Sequence, residues 1–352
     1  MLFKPSSPPL LGIDISTSSV KLIELAKAGN SYRVESFAAE PMPANAITDK
    51  VIMDVDAVGE ALRKAVKRAS PGSKNAAVAI SGQIMTKTIQ MPAKLSDKDL
   101  GEQIELQADQ YISQPIEEVA FDYEIMGPSQ SDPELVDVLL VAARRESVDK
   151  LANVLEIAGL TAKVVDVEAF ALENACKLLT YQMMDEGLDR TIALVDFGAA
   201  VTSFSVLHDR KIIYTYSSDF GGKQLTEEIM RHYGLTYEEA GKAKKEGGLP
   251  GNYKVEILDP FSDDMAQTVN RSLQFFLSST SEYTHLDQIL VCGGCASIPG
   301  AAERISEKLG TPAVIGNPFG QMKMSSRAKT QLSTAESPAL LVACGLALRS
   351  FD

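Results

Sequence analysis

Residues 10–21 of the chain, LLGIDISTSSVK, place a carboxylate at the end of a buried strand and a turn of small polar residues directly after it. The apolar run of residues 10–15 predicts the strand, which carries Asp14 near its end, and residues 20–25 predict a second strand. Between the strands, the backbone N–H groups and hydroxyls of residues 16–19 can converge on a phosphate. The stretch therefore predicts a phosphate-binding hairpin.

The same order of features recurs about half a chain later, in residues 192–203, IALVDFGAAVTS. Here Asp196 ends the predicted strand, the small residues 198–200 form the turn, and a second strand follows. A third strand is predicted after each hairpin, at residues 32–37 and 211–216. Such a repeat at half-chain spacing indicates two related lobes, and 352 residues exceed one typical domain, so we expect a two-lobed α/β protein.

Composition excludes several classes of function. A net charge of −13 argues against nucleic acid as the main partner, because backbone phosphates are bound by clustered Lys and Arg. No run approaches the roughly 18 apolar residues of a membrane span, and residues 1–5 do not form a signal peptide, so we expect a cytoplasmic protein. The four cysteines predict buried, reduced thiols, since the CxxC of residues 292–295 has no second Cys/His pair nearby.

Residues 92–160 predict helix, strand, strand and helix, which together suggest an inserted piece with its own small sheet. In the second half, residues 265–284 predict one long helix and residues 338–349 a closing helix. The two strand-end aspartates, Asp14 and Asp196, cannot both face a triphosphate without a cation between them. We therefore expect Mg²⁺ held largely through water, with Lys21 adding positive charge.

Five segments resemble the motifs of the actin, Hsp70 and sugar-kinase superfamily, and they occur in its order. They are the two phosphate motifs, the first connecting helix, the adenosine motif and the second connecting helix, at residues 12–21, 195–202, 164–171, 291–300 and 337–347. The resemblance implies a ribonuclease-H-type fold in two lobes, with ATP and Mg²⁺ bound between them.

The inserted piece occupies the place that it has in the FtsA family, not the place found in actin. The whole pattern resembles the PilM family of type IV pilus proteins. This implies an ATP-binding scaffold at the cytoplasmic face of the inner membrane, which captures the N-terminal cytoplasmic tail of PilN and supports pilus assembly and twitching motility. Further expected partners are the PilN–PilO–PilP complex, reached through PilN, and pilus motor components. Self-association is left open.

The resemblance also divides the chain into subdomains. The first lobe's core is expected at residues 1–91 and 161–190, with the closing helix at 335–352, and the FtsA-like insertion at 92–160. The second lobe's core is expected at residues 191–222 and 287–334, and its upper subdomain at residues 223–286.

The family's site residues carry over by position, with departures. Ser16 and Ala200 stand where the phosphate turns usually have glycine, and both are small enough to keep phosphate binding. Gly241 occupies the acidic place of the helix implied to touch adenosine, so Glu239 and Lys244 are either nucleotide contacts or a surface helix pair. The implied ATP contacts are Asp14, Ser16, Thr17, Ser18, Lys21, Asp196, Gly198, Ala199, Ala200, Thr202, Gly221, Gly222, Glu239, Lys244, Gly293, Gly294 and Ser297, with Asp14 and Asp196 toward Mg²⁺.

Glu168 falls where the superfamily orients the attacking water, and Asp166 is an alternative for that role. Equally, Glu168 caps or pairs at the start of the connecting helix. In-line attack needs a positioned water and closed lobes. We expect firm ATP binding with at most slow or partner-dependent hydrolysis.

Two other functions fit the same fold. A filament-forming, actin-like ATPase is compatible with an FtsA-like insertion. A small-molecule kinase needs a substrate pocket, for which an insertion of ordinary small-domain size leaves little room. An Hsp70-type chaperone is disfavoured, because no substrate-binding region follows residue 352.

Overall fold

The computed structural model of the chain describes residues 9–48, 50–82 and 84–351, so the segment 1–5, with its expected lack of a signal peptide, lies outside the described part. Sixteen strands are described: β1 Leu11–Ile15, β2 Ser19–Ala28, β3 Ser31–Pro41, β4 Ile47–Thr48, β5 Val51–Ile52, β6 Asn75–Ile80, β7 Ile84–Pro92, β8 Val119–Pro128, β9 Leu135–Arg144, β10 Thr161–Val167, β11 Thr191–Phe197, β12 Thr202–His208, β13 Lys211–Ser218, β14 Gln288–Cys292, β15 Ala313–Ile315 and β16 Lys323–Met324. The described α-helices are α1 Val55–Ala69, α2 Asp97–Tyr111, α3 Arg145–Ile157, α4 Glu168–Cys176, α5 Gly222–Tyr233, α6 Tyr237–Glu246, α7 Asp259–Ser279, α8 Ala301–Leu309, α9 Ser326–Gln331 and α10 Leu341–Leu348.

Two sheets share one topology. The first has the strand order β10-β6-β1-β2-β3-β16 and the second the order β13-β12-β11-β14-β15. In each, the hairpin strand is antiparallel to its successor and parallel to a later strand, as β1 is to β2 and β6 and as β11 is to β12 and β14. The register sets Asp14 opposite Lys21 and Asp196 opposite Ser203. The predicted two-lobed α/β fold is confirmed.

The two lobes exchange their last helices. Helix α4 follows β10 of the first sheet, yet its Leu172 packs with Ile192 and Leu290 of the second sheet. Helix α10 ends the second half of the chain and packs Ala347 against Ile23 of the first sheet. Each helix therefore ties one half of the chain to the other half's core, as the two connecting-helix motifs imply.

Two glycines allow these helices to approach other backbone directly. A Cβ on Gly12 of β1 would collide with the carbonyl of Ala343 in α10, and one on Gly345 of α10 would collide with the carbonyl of Ala171 in α4. The predicted closing helix differs at its start, because Pro338 lies in a 3₁₀ segment, Thr334–Leu340, before α10 begins. Proline lacks the N–H that a regular helix interior needs.

The small sheet, of order β7-β9-β8, confirms that the inserted piece has its own sheet, but it has three strands where the sequence pattern predicted two. Its first strand, β7, precedes residue 92, and α2 covers the sheet with Leu100 and Ile104. Helix α3 instead packs Val154 into the first lobe's core, beside Leu62 of α1. We therefore propose that the insertion comprises residues 84–144, narrower at its end and earlier at its start than the expected 92–160.

The long second-lobe helix also differs from its prediction. It begins at Asp259, after a π-helical turn at Lys254–Leu258, and ends at Ser279, short of the predicted residue 284. Pro260 at the helix start explains the early beginning, since proline suits the first turn of a helix. At the other end, the hydroxyls of Ser278 and Ser279 donate to carbonyls of the preceding turn and so compete with continued helix.

All four cysteines are buried and free, as predicted. Burial raises the pKa of Cys295 to about 11 and that of Cys176 to about 12, so both thiols stay protonated and unreactive. Among residues 9–48, 50–82 and 84–351, no group of His, Cys, Asp and Glu is arranged as a metal-binding cluster. In the same residues, no helix combines the length and apolar character that crossing a bilayer requires.

Candidate functional site

Equivalent backbone hydrogen bonds close the turns of the two hairpins. The N–H of Ser16 donates to the carbonyl of Ser19 at 3.0 Å, and the N–H of Gly198 donates to the carbonyl of Val201 at 3.1 Å. The next two N–H groups of each turn have no acceptor within the described part of the chain; they belong to Thr17, Ser18, Ala199 and Ala200. Free N–H groups at successive turn residues can receive an anion, and each lobe presents one such turn.

Carboxylates from both lobes surround Lys21. Its ammonium lies 2.6 Å from Asp14 Oδ2, and both side chains are largely buried. Burial disfavours the charge on Lys21, but Asp14, with smaller contributions from Asp196 and Glu168, outweighs burial and raises the pKa of the lysine. Lys21 is therefore firmly cationic, at a position where the two hairpins face each other.

The surroundings of Asp196 disfavour its ionised form. Burial is the main cause that raises the pKa of this carboxyl from 3.8 to about 7, and Glu168 and Asp14 add to the rise. Lys21 and Lys50 oppose it without cancelling it. A divalent cation bound through water beside Asp14 and Asp196 would favour the ionised form of Asp196.

The structure adds one site residue that the sequence prediction missed. Lys50, between β4 and β5, places Nζ at 3.2 and 3.3 Å from the two carboxylate oxygens of Glu168. Glu168 is the first residue of α4, so the interpretation that it pairs at the helix start describes the structure, while a catalytic role stays a prediction. No local pattern marks Lys50 in the sequence, because its partner is 118 positions away.

Asp166, the alternative to Glu168, is directed elsewhere. Its Oδ2 accepts a hydrogen bond of 2.6 Å from Nε of Arg349, just beyond α10. The carboxylate is almost fully buried in this ion pair. Asp166 therefore fastens the closing helix to the first sheet and is not a free base for water activation, which corrects that part of the sequence interpretation.

The start of α5 supports the second turn from behind. The N–H groups of Gly222 and Lys223 donate to the carbonyls of Gly198 and Ala199, at 3.0 and 2.8 Å. A Cβ on Gly221 would collide with those same carbonyls. Thr202 joins this support, because its hydroxyl donates to the carbonyl of Phe220 at 2.8 Å and not into the cleft.

The two residues expected near adenosine on α6 have separate surroundings. Lys244 Nζ donates to the carbonyl of Gly222 at 2.9 Å and to Thr226 Oγ1 at 2.6 Å, and burial lowers the pKa of the lysine. Glu239 is exposed and bonds the backbone and hydroxyl of Thr236 in a capping box. The structure therefore joins Lys244 to the start of α5, which supports the second hairpin turn, while Glu239 caps its own helix.

The segment after β14 lies beside the charged cluster. Gly293 has a φ of 84°, and a Cβ there would collide with Oδ1 of Asp196 and the carbonyl of Phe197. Gly294 opens a 3₁₀ turn, and the hydroxyl of Ser297 donates back to its carbonyl at 2.8 Å. Gly293 is thus brought against Asp196, whereas Ser297 uses its hydroxyl within the turn.

Solved structures with related folds cover nearly all of the chain. A PilM–PilN type IV pilus biogenesis complex aligns with 26% identity and a TM-score of 0.77, over 99% of this chain and 100% of that one. The ethanolamine utilization protein EutJ from Carboxydothermus hydrogenoformans aligns with 18% identity and a TM-score of 0.55, over 98% and 91%. MreB5 of Spiroplasma citri, bound to ADP, aligns with 13% identity and a TM-score of 0.51, over 97% and 95%. The last two comparisons establish the actin-like fold alone.

The family comparison agrees with the fold and with the order of the five motifs. The model of the family described as type IV pilus assembly protein PilM matches residues 12–351. That match includes both hairpins, the inserted sheet and both exchanged helices. The chain belongs to the PilM family of type IV pilus assembly proteins.

Proposed function

We propose that the chain binds ATP with Mg²⁺ between its two hairpins and acts as a scaffold in type IV pilus assembly. The observation that carries the nucleotide site is the convergence of Asp14, Lys21, Glu168 and Asp196, from both lobes, on one partly enclosed cluster. The cluster holds three carboxylates beside Lys21 and Lys50, and a hydrated divalent cation would favour the ionised form of Asp196.

In this proposal, each residue type has a separate task. The free N–H groups of residues 17, 18, 199 and 200 receive phosphate oxygens, and Lys21 adds positive charge beside them. Asp14 and Asp196 hold the hydrated cation, which supplies charge neutralisation when bound. Gly222 and Lys244 keep the second turn in place.

The adenosine side rests on the segment after β14. We propose that a nucleotide lies against the backbone of Gly293 and Gly294, since a Cβ on Gly294 would stand in open space while the space beside Gly293 is taken by Asp196. Ser297 and Glu239 are proposed at the margin of this site, with their side chains already bonded to Gly294 and Thr236. Their substitution should affect nucleotide affinity less than changes at the two hairpins.

We further propose that hydrolysis is slow or depends on a partner. The position of Glu168 resembles that of the superfamily's water-orienting residue, and both of its carboxylate oxygens face Lys50. While this pair is in place, the oxygens of Glu168 are occupied and do not orient water, so hydrolysis requires that the pair be released first. The site is suited to retaining ATP, which stabilises the closed arrangement of the lobes by linkage.

The partner proposal rests on the PilM–PilN complex, which shares 26% identity and full-length coverage with this chain. We propose that the chain captures the N-terminal cytoplasmic tail of PilN, with the inserted small sheet helping to form the groove. Through PilN it is held at the cytoplasmic face of the inner membrane, beside PilO and PilP, where pilus motor components are further proposed partners.

A titration of a synthetic PilN N-terminal peptide into the full chain tests this function. We expect saturable binding at micromolar concentration, about −8 kcal/mol, when ATP and Mg²⁺ are present. A peptide of the same composition in scrambled order is the control. Equal binding of the two peptides, or none at micromolar levels, contradicts the scaffold proposal.

A further inference from the structure

The contact between Lys50 and Glu168 joins two parts of the molecule that have different anchors. Lys50 sits in the β4–β5 hairpin, which is fixed to the first lobe's core by Ile47 and Ile52. Glu168 begins α4, which packs on the second lobe's sheet. The ion pair therefore connects the β4–β5 hairpin to the junction between β10 of the first sheet and α4.

The ion pair between Lys50 and Glu168 can be broken at a low cost in free energy, so that Lys50 can take another partner. Both side chains are 27% exposed, and partly exposed ion pairs contribute little free energy. Lys50 also has a left-handed backbone, with a φ of 63°, which is uncommon for a residue other than glycine. Glu168 lies in the first turn of a helix, where the helix dipole attracts negative charge, so Lys50 is not the sole favourable interaction of this carboxylate.

Lys50 has a second anionic neighbour in the same cluster. Its charge acts on Asp196 as well as on Glu168, so it lies within electrostatic reach of the second hairpin. Lys21, by contrast, is committed to Asp14 at 2.6 Å in a largely buried pair. Of these two lysines, Lys50 is the one whose present bond is long and accessible enough to be given up.

We propose that Lys50 senses the terminal phosphate of the nucleotide, pairing with Glu168 when that phosphate is absent and turning to it when ATP is bound. A charge-assisted hydrogen bond to phosphate is stronger than the present partly exposed pair. The exchange leaves Glu168 unpaired only in the ATP state, so Lys50 links nucleotide identity to the state of the water-orienting residue. This inference rests on the proposed nucleotide site.

The test compares affinities for ATP and ADP, measured by calorimetry with Mg²⁺, in the wild type and in Lys50→Met. We expect the variant to lose about tenfold or more in ATP affinity, the effect of removing one hydrogen bond to a charged group. Its ADP affinity should stay within about twofold of the wild type, because ADP lacks the phosphate that Lys50 senses. A merely structural lysine would not change the ATP-to-ADP ratio.

Lys211→Met is the matched control, since Lys211 pairs with Glu173 of the same helix α4 at 3.1 Å but outside the phosphate cluster. It should leave both affinities unchanged. Glu168→Gln removes the competing carboxylate and should keep the preference for ATP. Equal losses for the two nucleotides in Lys50→Met, or no loss, overturn the inference. If the wild type binds neither nucleotide, the proposed function itself has failed.

Discussion

At the scale of single residues, Asp196 is the carboxyl of the site whose pKa is most clearly changed by folding. Burial and two neighbouring carboxylates raise its pKa to about 7, and Gly293 packs against one of its oxygens. In the unfolded chain the same carboxyl has its ordinary pKa, so the folded protein holds a proton there over several pH units. A nearby cation would favour the ionised form of Asp196.

This gives a pH dependence with a definite sign. Because the folded pKa of Asp196 lies above the unfolded value of 3.8, its favourable contribution to stability is complete below about pH 4 and is lost as pH rises through about 7. Thermal melts of the nucleotide-free chain in chelator should therefore show stability falling between about pH 5 and 7.5 more steeply than in Asp196→Asn. Parallel curves for the two proteins would contradict the assignment.

At the same scale, the sequence could identify residues whose role follows from their neighbours in the chain. Asp14 and Asp196 qualify because each lies near the end of a predicted strand, and the turn residues qualify because they follow those strands directly. Lys50 could not be identified, because its role arises from a contact 118 positions away. Asp166 was misjudged for the same reason, as Arg349 lies 183 positions from it.

At the scale of elements, the two connecting helices α4 and α10 hold the halves of the chain together. Both were predicted from their motifs, but their close approach was not, because it depends on which faces meet. The structure shows Gly345 of α10 against the carbonyl of Ala171 in α4. Sequence proximity also misassigned α3, which follows the inserted sheet in the chain but packs beside α1.

Substitution of Gly345 by alanine tests this helix contact. The added methyl group meets backbone that cannot rotate away, so we expect a loss of about 1–3 kcal/mol in the free energy of unfolding. The control is Gly241→Ala in α6, where a Cβ meets no atom within 4 Å and alanine should stabilise the helix by up to about 1 kcal/mol. Urea denaturation measures both, and similar effects of the two substitutions would refute tight α4–α10 packing.

At the scale of the whole molecule, the repeated topology creates one site from two halves. Each lobe alone offers one turn with free N–H groups and one carboxylate at a strand end. The exchanged helices hold the two lobes so that Asp14 and Asp196 act on the same lysine. A ligand that bridges both turns would stabilise this arrangement, and a partner held by the inserted sheet would then meet a closed, ATP-bound scaffold.

Calorimetric titration of ATP into the nucleotide-free chain, with Mg²⁺ present and then with it removed, tests the central claim most directly. We predict saturable binding with one ATP per chain, weakened by about tenfold or more when Mg²⁺ is chelated and similarly in Asp196→Ala. The Lys211→Met protein should bind as the wild type does, because Lys211 pairs with Glu173 outside the phosphate cluster. Absence of saturable ATP binding, or an affinity unaffected by both Mg²⁺ removal and Asp196→Ala, would contradict the claim that the two hairpins form one nucleotide site.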